Sequence, residues 1–345
     1  MNPKSKVNTH RAIHGMGWES FLWQGLTLCV MALLVTGCNP QMPQPSSQPS
    51  RIETTISADG EMVAALDWPP PHGAPRLRIK RLLPQESPWE ELPISPYISS
   101  IYFGMTGKQL LLTEVIDETL RSVLVSWDMD KPDSPPTLLY EGYRLDFPTE
   151  FKPGHYLVRS CNNERADRPC TQRVFSWQWE WVHNNQQVQL INRAVYPDLL
   201  LFSQPTIVGE QGFFWFDHDP KNSRFITLAF KGQQLDDPDI AFDESVRDIK
   251  CDRALQRCLH SFIQGLTLDR KFIYAFTTTQ GSESCLVPKL AGFPSGFSIT
   301  PDGRAAVAGW ADGHDQPRRV VVIRFNPGQC APDSVQLHPF EETSS

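Results

Sequence analysis

The sequence predicts an all-β fold for most of the chain, and three observations support this prediction. A tight polar turn, often with a glycine, recurs along the chain, and a run of residues that favour β-strands follows each turn. Gly60, Gly107 and Gly154, in the first three of these turns, are each 47 residues apart. The 30 prolines disfavour long helices, and no long amphipathic helical pattern follows residue 50.

The repeated unit has the size of one blade of a β-propeller. Asp-Gly turns join antiparallel strands, because glycine adopts a positive φ at little cost. A second hairpin follows in most units, and four strands in about 47 residues make one blade. A seventh blade between Leu199 and Gln264, or a pair of β-sandwiches with chance Asp-Gly turns, is the alternative to the six blades that the count favours. The six turn segments are 56–60, 103–107, 151–154, 208–212, 266–270 and 299–303.

Two of these units resemble a known repeat. Ile-Ser-Ala-Asp-Gly-Glu-Met-Val-Ala at 56–64 and Ile-Thr-Pro-Asp-Gly-Arg-Ala-Ala-Val-Ala at 299–308 are similar to the WD-like repeat of TolB-type β-propellers. The resemblance implies a single propeller over residues 51–345. It implies a fold rather than a function, since such propellers serve as binding proteins, lyases, lactonases and peptidase lids.

The first 38 residues have the pattern of an export signal. Basic residues precede an apolar run over 21–35, and its fifteen residues are fewer than the about 20 that span a membrane. Val35-Thr36-Gly37-Cys38 resembles the bacterial lipoprotein box at every position. The resemblance implies that residues 1–37 are a signal peptide and that Cys38 carries a diacylglycerol and usually a third acyl chain. An uncleaved N-terminal anchor is the alternative.

Residues 38–50 predict a tether between the acylated cysteine and the propeller. The segment after Cys38 has four prolines and no charge, so it cannot form a core and is expected to be extended and disordered. An Asp directly after the cysteine favours retention in the inner membrane. This chain has Asn39 at that position, which favours the outer membrane. We therefore expect a lipid-anchored protein of the cell envelope that faces the periplasm.

The charge of the chain limits its partners. The formal net charge is −7, and an acidic protein has no electrostatic basis for binding nucleic acid or an anionic bilayer surface. We expect a membrane contact through the lipid anchor and no nucleic-acid partner.

Six cysteines follow Cys38, and an even number in an exported protein predicts disulfides. Proximity in the sequence favours three pairs. A metal site is the rival interpretation, but there is no Cys-x-x-Cys and no histidine at ligand spacing. The favoured pairs are Cys161–Cys170, Cys251–Cys258 and Cys285–Cys330.

An aromatic stripe is the clearest candidate surface. Phe175, Trp177, Trp179 and Trp181 alternate with polar residues, so in a strand their rings share one face. A turn at 184–185 would then place Val188 opposite Trp181 and Leu190 opposite Trp179. The rings either pack between blades or form an open platform for a glycan or a peptide.

Two predicted hairpin tips place a histidine between acids. The tips are Asp217-His218-Asp219 and Asp312-Gly313-His314-Asp315. Such groups can bind a divalent cation such as Ca²⁺ if a propeller brings the tips to one rim, and they are equally typical of solvated loops. The acidic run from Asp236 to Asp248 lacks the ligand order of a calcium loop.

No catalytic motif accompanies the fold pattern. The chain has no nucleophile elbow, no phosphate-binding loop and no His-Glu-x-x-His. The prediction is therefore a non-enzymatic, cofactor-free interaction propeller that docks an envelope or periplasmic protein. A metal-dependent, lactonase-like hydrolase and a carbohydrate-binding lipoprotein are the alternatives.

Overall fold

The computed structural model describes most of the residues that follow the predicted tether. These residues belong to the unit that runs from Pro49 to Ser345. The predicted signal peptide, Cys38 and the tether lie outside the described residues. The described ranges are 51–68, 74–105, 108–117, 121–161, 177–192, 205–208, 212–217, 224–229, 246–266, 272–280, 283–311 and 318–339.

The described part of the chain consists of β-strands joined by turns, which confirms the all-β prediction. It contains no helix that is long and apolar enough to cross a membrane. The first sheet contains β1 (Arg51–Ile56), β2 (Met62–Trp68), β3 (Arg76–Arg81) and β4 (Glu90–Leu92). The second contains β5 (Ile98–Phe103), β6 (Gln109–Val115), β7 (Arg121–Asp128) and β8 (Thr137–Tyr143). The third contains β9 (Asp146–Lys152), β10 (His155–Cys161), β11 (Trp177–His183) and β12 (Gln186–Asn192).

The remaining strands form a three-stranded and a seven-stranded sheet. The fourth sheet contains β13 (Thr206–Val208), β14 (Gly212–Asp217) and β15 (Arg224–Ala229). The seven-stranded sheet begins with β16 (Val246–Cys251), β17 (Arg257–Leu266), β18 (Phe272–Gln280) and β19 (Glu283–Ile299). It ends with β20 (Ala305–Ala311), β21 (Arg318–Arg324) and β22 (Ser334–Pro339).

The long strand β19 divides this last sheet into two. Up to Gly292 it pairs with β18, and from Phe293 onwards it pairs with β20. We call the part from β16 to the first half of β19 the fifth sheet, and the part from the second half of β19 to β22 the sixth sheet. Within each sheet, consecutive strands pair antiparallel. The number of blades remains a prediction, because the segment 230–245 lies outside the described residues.

The first, second, third, fifth and sixth sheets stack face to face through apolar side chains. Strand β2 shows this most simply: Val63, Ala64, Ala65 and Leu66 are all fully buried. Its even-numbered side chains join a cluster with the second sheet, whereas Val63 and Ala65 join a cluster with the sixth sheet. Further clusters connect the second sheet to the third and the fifth to the sixth.

The first sheet therefore packs against the sixth, so the two ends of the described chain meet. Ile52 and Val63 pack against Val307 and Val320 of the sixth sheet. At the rim of this interface, Arg324 Nη2 donates to the Gly60 carbonyl at 3.1 Å. Every described sheet consists of consecutive strands. Packing and hydrogen bonds between side chains and backbone, rather than a shared strand, join the two ends.

Two of the three predicted cysteine pairs lie in the described residues and form disulfides. Cys251 is bonded to Cys258 across the β16–β17 pair, and Cys285 is bonded to Cys330 over a sequence separation of 45. Cys161 is also disulfide-bonded, and its predicted partner Cys170 lies outside the described residues. The Cys251–Cys258 bond joins the first two strands of the fifth sheet, and the Cys285–Cys330 bond joins the fifth sheet to the turn between β21 and β22 of the sixth.

The Asp-Gly motifs form the turn between the first and second strands of their sheets. In the first sheet, Gly60 has φ 71° and donates to the Ser57 carbonyl, while Met62 N donates to Ser57 Oγ. The sixth sheet repeats this with Gly303 at φ 69° and Thr300 in the place of Ser57. The shared conformation explains the recurrence of the motif.

The predicted turn segment 266–270 does not lie between the first and second strands of its sheet, so its place in the repeated unit was predicted wrongly. It falls between β17 and β18, the second and third strands of the fifth sheet. The equivalent turn is 252–256, where Leu255, at φ 56°, takes the place of glycine. Asp252 N bonds to the Arg257 carbonyl, and Leu255 N bonds to the Asp252 carbonyl. The absence of an Asp-Gly pair concealed this turn in the sequence.

Candidate binding pocket at the convergence of the first strands

The first strands of neighbouring sheets lie side by side and are joined by hydroxyl groups. Ile56 N donates to Ser298 Oγ at 3.2 Å, linking the first sheet to the sixth. Phe103 N donates to Thr55 Oγ1 at 3.0 Å, linking the second sheet to the first. Phe147 N donates to Ser100 Oγ at 2.9 Å, linking the third to the second. Each hydroxyl satisfies a backbone N–H on the next first strand, which would otherwise lack a ladder partner.

A pocket lies where these first strands end. The first, second, fourth, fifth and sixth sheets all contribute to its wall, and the empty space amounts to ≈ 670 Å³ when counted out to open solvent. Much of the wall is apolar, with Phe103, Ile207 and Phe297 coming from three different sheets.

In the first, fifth and sixth sheets, the second residue of the turn between the first two strands faces this pocket. These residues are Ala58 in the first sheet, Arg253 in the fifth and Pro301 in the sixth. Lys250, three residues before Arg253, also lines the wall. Among the described lining residues, Lys250 and Arg253 carry charge and none is acidic. Two basic residues in one wall stand out in a chain with a net charge of −7.

Arg253 is held by contacts with two other sheets. Its backbone N–H donates to the Pro301 carbonyl at 2.9 Å, which fixes the turn against the sixth sheet. Its Nη1 lies 3.7 Å from Met105 Sδ of the second sheet. The guanidinium thus meets the second sheet across the pocket. A thioether is a weak acceptor for such a donor.

Glu150 positions the wall on the Met105 side. Its buried carboxylate accepts the Met105 N–H at 2.6 Å and the Gly154 N–H at 3.1 Å. A Cβ on Gly104 would lie 2.6 Å from Glu150 Oε2, so only glycine allows this approach. Burial, together with Glu150, raises the pKa of the Tyr102 hydroxyl, and Tyr102 is also one of the lining residues.

The predicted aromatic platform does not hold at Trp179. That ring is fully buried. Trp181 is half-buried, packs edge-on against Phe151 at 5.3 Å and donates to His155 Nδ1 at 3.2 Å. Phe175 lies outside the described residues, as does the side chain of Trp177. Trp179 thus contributes to the interior rather than to an exposed face.

The register predicted beyond this stripe is also wrong by one residue. The turn at 184–185 is present, with φ of 51° and 61°. However, Trp181 pairs with Gln189 and Trp179 with Ile191, because a bulge interrupts the ladder between Trp181 and Val182. An extra residue at a bulge shifts every pair that follows it.

The predicted cation-binding tips lie largely outside the described residues. Asp217 ends β14, and its side chain, His218, Asp219 and the whole of 312–317 are not described. Within the described ranges, one group of potential ligands occurs, Glu283 with Cys285 and Cys330. The two sulfurs of that group are joined in the disulfide. The two tips remain a sequence prediction.

Sequence reasoning missed Lys250 and Arg253, and also a stacked histidine pair. His155 and His183 are opposite each other on β10 and β11, with ring centroids 3.8 Å apart. Burial and the neighbouring His183 lower the pKa of His155. Alignment of the 252–256 turn with the Asp-Gly turns would have placed Arg253 beside Ala58 and Pro301. No such signal connects the two histidines.

Comparisons with known proteins place the chain among β-propellers by structure. A scan against protein-family models finds no match, and a search of curated proteins finds none. Among solved structures, TolB from Acinetobacter baumannii matches with a TM-score of 0.51 and 11% identity, over 80% of this chain and 61% of that one. The likeness supports a TolB-like propeller fold.

Two further matches have lower TM-scores. The β-propeller domain of the trilobed protease from Pyrococcus furiosus matches over 84% of this chain and 83% of that one, at 10% identity and a TM-score of 0.43. Hydrazine synthase from Kuenenia stuttgartiensis matches over 83% of this chain and 79% of that one, at 12% identity and a TM-score of 0.47. At these identities the likenesses concern the fold alone.

Proposed function

We propose that this chain is a lipid-anchored binding propeller of the bacterial cell envelope, which holds a partner protein at the pocket where its first strands converge and catalyses no reaction. The pocket carries the proposal. Five sheets build one wall that combines apolar side chains with Lys250 and Arg253, and such a mixture gives both contact area and orientation to a bound segment.

The proposed anchor rests on the sequence. Cys38 ends a lipoprotein box, and the uncharged segment after it would hold the propeller near the bilayer surface. Two or more acyl chains give stable anchoring, whereas one chain gives only marginal binding. Asn39 favours the outer membrane. Partners are therefore proposed among periplasm-facing proteins of the envelope.

Site-specific photocrosslinking in living cells tests the binding role. A photoreactive residue at Ala58, in the pocket wall, is compared with one at Leu337, which is 46% exposed on β22. We expect a discrete crosslinked product from position 58 alone, and less of it when Arg253→Gln is added. Identical products from both positions, or none from position 58, would contradict the proposed function.

A further inference from the structure

We propose that the propeller rests on the bilayer surface through Tyr97 and Ile116, which form an exposed apolar patch on the side of the domain where the tether joins. We call these two residues the tether-side patch. The inference rests on the lipid anchor of the proposed function and concerns a surface separate from the pocket. Three features of the described residues carry it: the level at which the chain enters the first sheet, the exposure of the two side chains, and the backbone that holds them.

The chain enters the first sheet beside Tyr97. Two hydrogen bonds join β5 to β1, and each connects residues that are 48 positions apart. Because this difference is constant, the two strands run parallel and in step. The start of β1 at Arg51 therefore lies level with Ser99, two residues after Tyr97. The tether ends at residue 50, so its junction with the propeller is close to the tether-side patch.

The two side chains are exposed and lie on neighbouring strand ends. Tyr97 is 66% exposed, more than any other large apolar residue in the described part of the chain, and Ile116 is 45% exposed. Val115 N donates to the Tyr97 carbonyl at 3.1 Å, so the segment that carries Ile116 runs beside Tyr97. Tyrosine is enriched where membranes meet water, because its apolar ring enters the headgroup region while its hydroxyl stays hydrated.

Hydrogen bonds hold the backbone of both residues. Tyr97 N donates to Ser95 Oγ at 3.2 Å, and the Tyr97 carbonyl accepts Val115 N. Ile116 N donates to the Arg121 carbonyl at 2.8 Å, which joins the end of β6 to the start of β7. Because the backbone is already fixed, insertion of these side chains into the membrane surface costs little conformational entropy.

The tether makes a weak contact sufficient. Two apolar side chains alone would hold a free protein at a membrane only weakly, since even one myristoyl chain gives marginal binding. The segment 39–50 reaches about 37 Å when it is extended at about 3.1 Å per residue. The acylated cysteine therefore keeps the patch close to the bilayer, and this proximity acts as a high effective concentration.

The contact orients the pocket away from the membrane. β1 starts at Arg51, on the side of the tether, and ends at Ile56, which lines the pocket. Its six residues span about 17 Å at about 3.3 Å per residue. A partner in the periplasm thus approaches the pocket from the side opposite the bilayer. The tether alone would leave the propeller free to turn.

Neutron reflectometry on a supported phosphatidylcholine bilayer tests the contact. The full-length acylated protein is compared with the double variant Tyr97→Asp with Ile116→Asp. The matched control is Leu138→Asp with Leu337→Asp, which changes two residues of similar exposure, 45% and 46%, on the outer strands β8 and β22. We expect the wild type and the control to lie directly against the headgroups, and the double variant to stand off behind a water layer of about 10 Å or more. Equal distances for all three proteins would overturn the inference.

Retention on the bilayer separates this inference from the proposed function. If none of the three proteins is retained after washing, the lipid anchor is wrong and this inference falls with it. If the wild type is retained but stands off behind a water layer, the anchor stands and the tether-side patch does not contact the bilayer. The Ala58 crosslink tests the pocket independently of both results.

A photoreactive residue at position 97 in living cells identifies what covers the patch. We expect an adduct with a phospholipid, detected by mass spectrometry of the crosslinked peptide, and no such adduct from position 138. A product with a second copy of the chain, or with another protein, would overturn the bilayer as the partner of this surface.

Discussion

The turn at 252–256 differs from the two Asp-Gly turns in sequence but has the same hydrogen bonds. In the first and sixth sheets, a hydroxyl accepts one N–H and an aspartate two residues later accepts another. In the fifth sheet, the single carboxylate of Asp252 accepts both. The conformation is therefore conferred by the hydrogen-bond pattern, and different residues can supply it.

The three turns diverge at the position that faces the pocket. Ala58 and Pro301 are small or rigid and uncharged, whereas Arg253 is charged. The fifth sheet also has a disulfide where the equivalent pairs are Ile56 with Val63 and Ile299 with Ala306. Two of the turns therefore present an uncharged residue to the pocket, while the third presents a charged one and is bracketed by a disulfide.

Asp252→Ala should lower the stability much more than the matched change in the first turn. It removes a buried acceptor that serves two backbone N–H groups, and we expect the free energy of unfolding to fall by about 3 kcal/mol. Asp59→Ala is the matched change, because Ser57 still serves Met62 N, and it should cost about 1 kcal/mol. Urea unfolding of both variants measures the difference. Equal losses would show that Asp252 has no greater role than its counterpart.

Removal of the disulfide that brackets the Arg253 turn should have the next largest effect. Cys251→Ser with Cys258→Ser opens a loop with a sequence separation of 7, and we expect a loss of about 2–3 kcal/mol. The Ala58 crosslink should weaken as well, because the turn that carries Arg253 loses its base. A double variant that is as stable as the wild type and crosslinks equally would contradict this role of the disulfide.

Two glycine changes test how tightly the fifth and sixth turns fit together. A Cβ at Gly303 would lie 2.6 Å from Asp252 Oδ2, whereas at Gly60 the nearest atom is 3.5 Å away. Both positions have positive φ, so an alanine at either position would be strained by about 1–2 kcal/mol. Gly303→Ala should therefore be less stable than Gly60→Ala by about 1–2 kcal/mol. Thermal unfolding of both variants measures the difference, and equal stabilities would contradict this packing.

The smallest effect concerns pH. Burial raises the pKa of the Asp252 carboxyl above its ordinary value of 3.8. The resulting contribution to stability is fully present below 3.8 and is lost as pH rises through the raised pKa. Asp252→Asn does not titrate, so the stability advantage of the wild type over this variant should shrink as the pH rises above about 4. An advantage that grows over this range, measured by urea unfolding, would mean that the pKa is lowered.

The sequence predicted the fold class because its signals are local. Glycine in an Asp-Gly pair reports a positive φ, and alternating apolar residues report a strand. The disulfides at Cys251–Cys258 and Cys285–Cys330 followed from proximity along the chain. Each of these inferences needed residues within a short stretch, or the simple spacing of one cysteine from the next.

The pocket could not be predicted in the same way. Its wall joins Thr55, Phe103, Lys250 and Phe297, which lie in distant parts of the chain and meet only when the sheets assemble. The turn that presents Arg253 uses Leu255 instead of glycine. A bulge shifted the register beyond Trp181, and bulges have no reliable sequence signal. A repeat pattern in the sequence does not show which residues of distant sheets meet, or where a strand contains a bulge.

The most direct test of the binding role is the dependence of the Ala58 crosslink on Arg253. A photoreactive residue at position 58, in the pocket wall, is compared in the wild type and in Arg253→Gln, with one at the exposed position 337 as the control. We expect a discrete product from position 58 that Arg253→Gln reduces, and none from position 337. A product that is the same with and without Arg253→Gln would contradict the account.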